Sequence, residues 1–427
     1  MAKGAYIGVP ETIKYKTCPD CGYRSLFDPA TDDLTADTWT CSSCSSFMGA
    51  KSPSEWTFTE ATGSNSVARK IKKGYIGVDG VARKIKKAYI GVGGVARPCW
   101  SGGELAYYGA ITALQYSRYW LAAASNANYA LFAGGFGNGV NYAAVDAFDK
   151  SLTRKNAPEL WEGKNQFAAT SVGSYAIFAG GQQSTGMSRS VDAYDGSLTK
   201  STPTDLDARK YKLAATAVGN YALFGGGSDG GEMSTVEAYN SSLTKVAVSS
   251  VLALGRFDLS AASVGDYAIF GGGIRSNTTY ATSDAYNSSL TKISVSNLVT
   301  SVCALAATSV GDYALFGGGS NSASGPQAIV TAYNKSLTRT QATNLSVNRN
   351  ILAATAVEGY ALFGGGNTNG YEKSTVDAYD KSLTRTTPTE LSQPRWQLAA
   401  ASIGNYALFG GGNSDVLFAD VDAYTVA

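Results

Sequence analysis

The segment Tyr221-Ala-Leu-Phe-Gly-Gly-Gly227 decides the fold, because close copies of it recur through the C-terminal part of the chain. An apolar run that ends in glycines is typical of a short strand followed by a sharp bend. Seven copies at a nearly constant interval indicate a repeat architecture in place of one ordinary core. The copies begin at tyrosines 46 residues apart, with one interval of 47: Tyr129, Tyr175, Tyr221, Tyr267, Tyr313, Tyr360 and Tyr406.

Three further motifs accompany each copy and complete a unit of four strands. In the third copy, we predict strand a at Leu213–Val218, strand b at Tyr221–Phe224, strand c at Thr235–Tyr239 and strand d at Leu243–Val248. The small residues of strand a suit a crowded position near a central axis, and the alternation in strand d suits a half-exposed edge. Four strands in 46 residues is the period of a propeller blade. Residues 105–427 are therefore predicted to form a seven-bladed β-propeller in an all-β chain.

The phase of the repeat predicts how the ring closes. The last copy stops after Asp422-Ala-Tyr424 and lacks a strand d. Leu105–Leu114, which precedes the first strand a, resembles the strand d of later copies. We expect this N-terminal segment to become the outermost strand of the seventh blade, because that pairing removes an open sheet edge.

The repeats resemble kelch repeats in the double glycine after strand b, the tyrosine of strand c and an arginine that opens several blades. The resemblance covers about three quarters of the chain and implies a kelch-like propeller fold. Kelch blades carry a tryptophan in strand d, and basic residues occupy that neighbourhood here, so the resemblance implies no particular kelch function. The blade-opening arginines are Arg209, Arg256, Arg349 and Arg395, and the basic residues of strand d are Arg154, Lys200, Lys245, Lys292, Arg339 and Arg385.

The composition excludes several classes of function. The chain has no histidine, which excludes a Ser-His-Asp triad, a Cys-His dyad and histidine-ligated metals. The formal net charge of +2 gives no global field that would attract nucleic acid. No apolar run is long enough to span a membrane, and Met1–Pro10 lacks the apolar stretch of a signal peptide. We predict a protein that is not an enzyme, is made in a cytoplasm, and has neither a membrane nor a nucleic-acid partner.

The N-terminal region contains a second, shorter repeat. Residues 67–80 recur almost letter for letter as residues 81–94, and Asp79-Gly80 and Gly93-Gly94 favour two-residue hairpin turns. A truncated copy opens the chain and resumes only after residue 66, so the intervening stretch is an insertion into a hairpin. The predicted organisation is a first strand of the arm, a zinc-ribbon insertion, basic β-hairpin repeats and the propeller, over residues 1–9, 10–66, 67–104 and 105–427.

The insertion holds two CxxC pairs, which are typical of a tetrahedral zinc site. Each pair presents two thiolates from one turn, and two pairs complete four sulfur ligands. Since no coordination position stays open, such a zinc ion would be structural and would supply much of the folding energy of the insertion. The alternative is two reduced or disulfide-linked pairs. The predicted ligands are Cys18, Cys21, Cys41 and Cys44.

The hairpin repeats carry nine basic residues against one acidic residue within residues 67–98. Binding to an anion or nucleic acid is one interpretation. The alternation of these charges with Ile and Val favours the other, a solvated strand face that discourages pairing with a wrong edge. The repeats are also similar to segments of tail and other virion proteins of bacteriophages and prophages of Gram-positive bacteria. This resemblance covers about 35 residues and implies a virion protein, present in multiple copies, whose residues 1–104 dock to other virion proteins.

The loops of the seven repeats fall into two classes. The a–b turns are nearly identical in most copies, and so are the c–d turns in all but the last copy, whereas the b–c and d–a loops differ in every blade. A surface used for binding diversifies while a turn needed only for folding stays constant, although drift in tolerant loops is the alternative. The variable loops carry side chains suited to contacts with protein or carbohydrate: Tyr142, Trp161, Tyr211, Arg275, Tyr280, Tyr371, Trp396 and Phe418. The four blade-opening arginines are either part of this surface or structural caps of the blades.

Together these features predict a virion adhesin whose propeller recognises a glycan or protein on the host cell. Many weak sites on one particle would bind with avidity. A capsid or tail decoration protein without a receptor is one alternative. A glycan hydrolase built on the propeller is another, and the absence of histidine and of a recognisable acidic cluster disfavours it.

Overall fold

The computed structural model describes residues 103–426 in full, together with the backbone of seven earlier strands. Contacts divide the chain into two compact units, Met1–Ile71 and Lys72–Ala427. In the first unit, one strand pairs antiparallel with two others; in the second, four strands ahead of the propeller form two antiparallel pairs. The first unit contains Ile13–Thr17 between Arg24–Leu26 and Thr57–Ala61, and the two pairs are Gly74–Val78 with Val81–Ile85 and Ala88–Val92 with Val95–Trp100.

Residues 105–426 form a seven-bladed β-propeller, as the repeat predicts, and every regular element within the described residues is a strand. Each blade is an antiparallel sheet with the strand order a-b-c-d. The a strands are Ala122–Ser125, Ala168–Val172, Ala214–Val218, Ser260–Val264, Ala306–Val310, Ala353–Val357 and Ala399–Ile403. The b strands are Tyr129–Ala133, Tyr175–Ala179, Tyr221–Gly225, Tyr267–Gly271, Tyr313–Gly317, Tyr360–Gly364 and Tyr406–Gly410. Blades 1 to 7 follow this order, and strand a of each lies beside strand a of the next, with blade 7 beside blade 1.

The outer two strands complete each blade. The c strands are Val145–Asp149, Val191–Tyr194, Val236–Asn240, Ser283–Asn287, Val330–Asn334, Val376–Asp380 and Val421–Val426. The d strands of blades 1 to 6 are Arg154–Ala157, Lys200–Ser201, Lys245–Val246, Lys292–Ile293, Arg339–Ala342 and Arg385–Thr386. Five b–c loops contain a small two-stranded ribbon: Phe136–Gly137 with Val140–Asn141, Gln182–Gln183 with Gly186–Met187, Ile274–Arg275 with Thr278–Thr279, Ser320–Asn321 with Gly325–Pro326, and Asn367–Thr368 with Tyr371–Glu372.

The ring closes as predicted, by a strand from the N-terminal side. Leu105–Ile111 pairs antiparallel with Val421–Val426 and is the strand d of blade 7. The ring centroids of Tyr107 and Tyr424 lie 5.2 Å apart across this pairing. The closing strand therefore brings both main-chain pairing and side-chain packing to an edge that would otherwise be open.

The predicted d strands are too long, because the c–d turn extends further than expected. Leu243, predicted to open strand d of blade 3, lies in the turn with a positive φ of 61°, and the strand begins at Lys245. The side chain of Asn240 fixes this turn by accepting the amide hydrogens of Ser242 and Thr244 at 3.0 and 2.9 Å. An Asn or Asp that accepts nearby amides stabilises a turn, which explains why the same turn sequence recurs in blades 1 to 6.

The apolar core lies between neighbouring blades. Seven buried clusters each combine the third residue of strand b in one blade with the fourth residue of strand b in the next. Leu131 of blade 1 packs with Phe178 of blade 2, for example, and Leu408 of blade 7 packs with Phe132 of blade 1. Because each sheet buries both faces against its neighbours, the blades stabilise one another around the ring.

Buried ion triads account for five of the six basic residues of strand d that depart from the kelch pattern. The second residue of strand c carries a carboxylate in six blades. It contacts one base from the d–a loop in all six and one base from strand d in five. The inner pairs are Arg118–Asp146, Lys164–Asp192, Lys210–Glu237, Arg256–Asp284, Arg349–Asp377 and Arg395–Asp422, with N···O distances of 2.7–3.2 Å. The outer bases are Arg154, Lys200, Lys245, Lys292 and Arg385, and the Tyr107 hydroxyl donates to Asp422 at 2.6 Å in blade 7.

Blade 5 lacks the inner pair because both partners are neutral. Val302 stands where the other blades have the inner base, and Thr331 stands in place of the carboxylate. The Thr331 hydroxyl accepts the amide hydrogen of Val299 at 3.1 Å, a bond that the carboxylates make in the other blades. The two charges are absent together, as expected where a single buried charge would be destabilising.

The triads also settle the position of the blade-opening arginines. Arg256, Arg349 and Arg395 are fully buried in triads and serve as structural caps. Arg209 was aligned with them in the sequence, but the structure places Lys210 in the triad of blade 3. Arg209 is exposed, and its guanidinium donates to the carbonyl oxygen of Met187 at 3.1 Å.

Strand c tyrosines link each blade to the preceding one. Six fully buried tyrosines donate their hydroxyl hydrogen to a carbonyl oxygen that follows strand d of the preceding blade, at 2.7–3.1 Å. Blade 1 has Phe148 at this position. Burial raises the pKa of all six hydroxyls, that of Tyr333 to about 12. The six are Tyr194, Tyr239, Tyr286, Tyr333, Tyr379 and Tyr424.

We expect cooperative unfolding of the propeller between pH 10 and 12. In the unfolded chain each tyrosine ionises near pH 10, whereas the folded pKa values are higher, so this stability is present below about pH 10 and is lost above it. Each buried tyrosine contributes a loss of about 1.4 kcal/mol per pH unit in that window. Tyrosinate absorbance and circular dichroism, recorded in one titration, should show the late tyrosines ionising in the same step that removes the β-sheet signal. Complete ionisation of all tyrosines with an unchanged β-sheet signal would contradict this expectation.

Candidate functional site

The propeller has two faces, and their loops differ in the contacts that they make and in how much their residues vary. We call the face formed by the a–b and c–d turns the uniform face, and the face formed by the b–c and d–a loops the variable face. On the uniform face, the turns of neighbouring blades touch. A Cβ added to Gly173 in the a–b turn of blade 2 would lie 3.0 Å from Ser241 Cβ in the c–d turn of blade 3. The uniform face therefore has a structural reason to repeat the same residues.

On the variable face, a shared backbone scaffold carries side chains that differ. The two glycines after strand b have positive φ, and a Cβ on Gly226 would lie 2.7 Å from the carbonyl oxygen of Arg256 in the next blade's d–a loop. The second glycine accepts a backbone hydrogen bond from the far side of the b–c loop in each blade; in blade 3 this bond joins Met233 to Gly227 at 2.9 Å. Because the main chain holds these loops in place, their side chains are free to vary.

The structure places the eight predicted binding residues around the variable face and does not gather them into one cluster. Tyr142, Tyr280 and Phe418 are half-buried and occupy equivalent positions, each bonded through its amide to the second glycine of its own blade. Tyr211 and Trp396 are also equivalent and half-buried, in short bridges between a d–a loop and a b–c loop. The remaining three, Trp161, Arg275 and Tyr371, are exposed near loop tips.

A groove beside Trp161 is one concave site on the variable face. It has a volume of about 410 Å³. The Trp161 side chain is 71% exposed, while its amide donates to the buried Asp192 of the blade 2 triad at 3.0 Å. An exposed indole on an anchored main chain suits a contact with an apolar surface of a ligand. The other polar or charged side chains that line the groove are Glu162, Gln183, Ser188, Arg189, Ser190, Thr202, Asp205 and Arg209.

A second concave site lies on the axis of the ring, since residues of all seven blades line it. This axial cavity has a volume of about 300 Å³ and takes two consecutive residues from each of the seven d–a loops. The inner layer is an apolar collar: Leu121, Phe167, Leu213, Leu259, Leu305, Leu352 and Leu398. We call the outer layer the rim. Its residue type differs from blade to blade, and only Gln occurs twice. The rim residues are Trp120, Gln166, Lys212, Asp258, Ala304, Ile351 and Gln397.

A closed circle of backbone hydrogen bonds holds the rim. Each rim residue donates its amide hydrogen to the carbonyl oxygen of the rim residue in the preceding blade, at 2.8–3.2 Å. The circle includes the bond from Trp120 of blade 1 to Gln397 of blade 7. It therefore depends on ring closure and fixes the seven side chains at one level on the axis.

None of the seven rim residues is among the binding residues predicted from the sequence. A signal was present in the repeats: the residue two positions before strand a changes from blade to blade, while the next residue is always Leu or Phe. The circle of hydrogen bonds joins residues about 46 positions apart, so it becomes visible only in the folded ring.

The predicted zinc ligands Cys18, Cys21, Cys41 and Cys44 lie outside the described residues. Among the residues that are described, no group of three or more His, Cys, Asp or Glu side chains is placed to hold a metal ion. That part of the chain also contains no helix with the length and hydropathy needed to cross a bilayer.

Comparison with known proteins adds no family to this description. No protein-family model matches the chain, and no curated protein matches its sequence. The seven-bladed architecture is consistent with kelch-like repeats.

Proposed function

We propose that this chain is the adhesin of a bacteriophage or prophage virion, which binds a glycan or protein on a Gram-positive host cell through its variable face. The observation that carries this proposal is the difference between the two faces. The turns of the uniform face are engaged in contacts between blades, whereas the loops of the variable face share one backbone scaffold and present different side chains. These loops also expose aromatic side chains such as Trp161 and Tyr371, each 71% exposed, and such side chains anchor contacts with protein.

Residues 1–104 would attach the propeller to other virion proteins. This part of the proposal rests on the resemblance of the hairpin repeats to segments of virion proteins. Several copies on one particle would raise the overall affinity by avidity, so each propeller needs only weak binding of its own. The proposed role is recognition without catalysis.

Replacing both Trp161 and Tyr371 by alanine is expected to reduce binding of the labelled full-length protein to host cells at least about ten-fold, because exposed aromatic anchors supply much of the energy of such contacts. A panel of Gram-positive cells and a glycan array identify the bound surface. The matched control replaces Lys335 and Asp312, an exposed ion pair on the uniform face, because such pairs add little stability. Equal binding by the parent and the aromatic variant, or loss of binding in the control alone, would refute the assignment of the faces.

We also propose that Cys18, Cys21, Cys41 and Cys44 bind one structural zinc ion, because four thiolates suit tetrahedral zinc. The purified full-length protein should contain one zinc per chain by elemental analysis. Replacing Cys18 and Cys21 by serine should abolish zinc binding and leave the melting temperature of the propeller unchanged. Replacing Cys303, which is half-buried in the propeller, should leave the zinc content unchanged. Absence of zinc from the purified parent protein would contradict the proposal.

A further inference from the structure

The rim of the axial cavity keeps seven side chains in a backbone conformation that disfavours them. All seven rim residues have left-handed φ angles of 51–56°, and none of them is glycine. This conformation costs a residue with a side chain about 1 kcal/mol or more, and a β-branched residue such as Ile351 is especially unusual there. Glycine occupies left-handed positions elsewhere in every blade, Gly226 and Gly227 among them. Strain that is retained at one level around the whole ring points to a use for the side chains.

The rim is chemically divided into a polar arc and an apolar arc. In ring order, Gln397, Trp120 and Gln166 are consecutive, and Lys212 and Asp258 follow them. Ala304 and Ile351 complete the circle on the opposite side. The cavity therefore offers one indole flanked by two amides, a pair of opposite charges, and a small apolar wall.

Two amide oxygens on the polar arc lack partners. The side-chain oxygens of Gln166 and Gln397 are buried and accept no hydrogen bond from any described residue, and the Gln397 side chain is only 8% exposed. An unsatisfied buried polar group is destabilising, so a ligand that hydrogen-bonds to these amides after a rotation of their side chains would stabilise both. A hydroxyl group fits best, because it both donates and accepts and so matches either end of an amide.

The charged pair on the rim favours a neutral ligand. Lys212 Nζ lies 2.9 Å from Asp258 Oδ2, and the same ammonium lies 5.3 Å from the centroid of the Phe257 ring. A charged ligand would have to compete with this contact, whereas a hydroxyl can donate to the carboxylate without separating the pair.

We propose that the axial cavity binds a single neutral sugar ring, with an apolar face of the ring against Trp120 and its hydroxyls on Gln166, Gln397 and Asp258. A cavity of about 300 Å³ lies at the lower end of the range for ligand pockets, and the apolar collar forms its inner layer. It takes one ring and not an extended oligosaccharide. The sugar would be the terminal unit of a cell-surface glycan. This choice of glycan rests on the proposed function.

The test is saturation-transfer-difference NMR on the full-length protein with single sugars. The neutral probes are glucose, galactose, mannose, rhamnose, N-acetylglucosamine and N-acetylgalactosamine, and the charged probes are glucuronate and inorganic phosphate. At least one neutral sugar should show transfer to its ring C–H protons. Trp120→Ala should weaken its binding at least about ten-fold, since ring stacking is a large part of such a contact.

Two further variants separate cavity binding from a general effect on folding. Ala304→Trp should abolish binding by filling the cavity, and Trp120 shows that the ring tolerates tryptophan in this conformation. Lys335→Ala, which truncates an exposed side chain on the uniform face, should retain binding.

The proposal is overturned if no neutral sugar binds, if only the charged probes bind, or if binding survives both Trp120→Ala and Ala304→Trp. Loss of binding in Trp161→Ala with retention in Trp120→Ala would place the sugar in the groove and would also overturn it. The cell-binding assay of the proposed function is scored separately on the same variants. Sugar binding at the rim without cell binding would remove the adhesin role and leave the cavity assignment intact.

Discussion

Replacing Asp377 alone by threonine is expected to destabilise the propeller by about 3–5 kcal/mol, because it leaves a buried arginine without its carboxylate. Arg349 and Asp377 are both fully buried, and their side chains are 2.8 Å apart. The remaining bond of the guanidinium to the carbonyl oxygen of Phe363, at 3.0 Å, does not compensate its charge. The free energy of unfolding from chemical denaturation measures the loss.

Blade 5 supplies the matched control for this substitution. The double variant Arg349→Val, Asp377→Thr copies Val302 and Thr331, so most of the lost stability should return. The threonine hydroxyl can accept the amide hydrogen of Ser346, which Asp377 accepts at 3.0 Å in the parent. If the double variant is as unstable as Asp377→Thr, coupling between the two buried charges is not what stabilises the triad.

Replacing Leu105–Ile111 by a Gly-Ser segment of equal length, in the full chain, is expected to destabilise the propeller by about 5 kcal/mol or more. The change removes four side chains that pack in the clusters on either side of blade 7, and burial of such a side chain is worth about 1.5–3 kcal/mol when complete. It also leaves Val421–Val426 as an unpaired edge. Thermal melts followed by circular dichroism should show a large loss of melting temperature.

The control for the closing strand replaces Thr112 and Ala113, which are exposed and follow the strand, by Gly-Ser. This variant should melt with the parent. A propeller that lost Leu105–Ile111 and still melted within a few degrees of the parent would show that the seventh blade does not need its fourth strand.

The blade count and the ring closure were predictable because both follow from the spacing and phase of the repeat. The Tyr-Ala-Leu-Phe motifs mark strand b in every blade. Because the seventh repeat lacks a strand d, the segment ahead of the first repeat was expected to supply it, and Leu105–Ile111 does so. The triads were harder to predict, because the repeats show bases in strand d but not what they contact. The joint loss of charge at Val302 and Thr331 is a sign of this pairing within the sequence itself.

The sequence predicted which face of the propeller carries the candidate site, but not which residues form it. Comparison of loops separates the uniform face from the variable face, but it does not show which side chains are exposed. Trp161 and Tyr371 are exposed, whereas Tyr211 and Trp396 are held in short bridges and half-buried. The axial cavity is built from residues of all seven blades, so its shape depends on ring geometry that no single repeat contains.

The most direct test of recognition by the variable face is a deep mutational scan of the full-length chain. The variants would be displayed on yeast, sorted first for folded protein and then for binding to host cells. We expect substitutions that abolish binding without loss of folding to concentrate in the b–c and d–a loops and at the rim, and to be rare in the a–b and c–d turns. Binding-specific positions spread equally over both faces, or confined to the uniform face, would contradict the assignment.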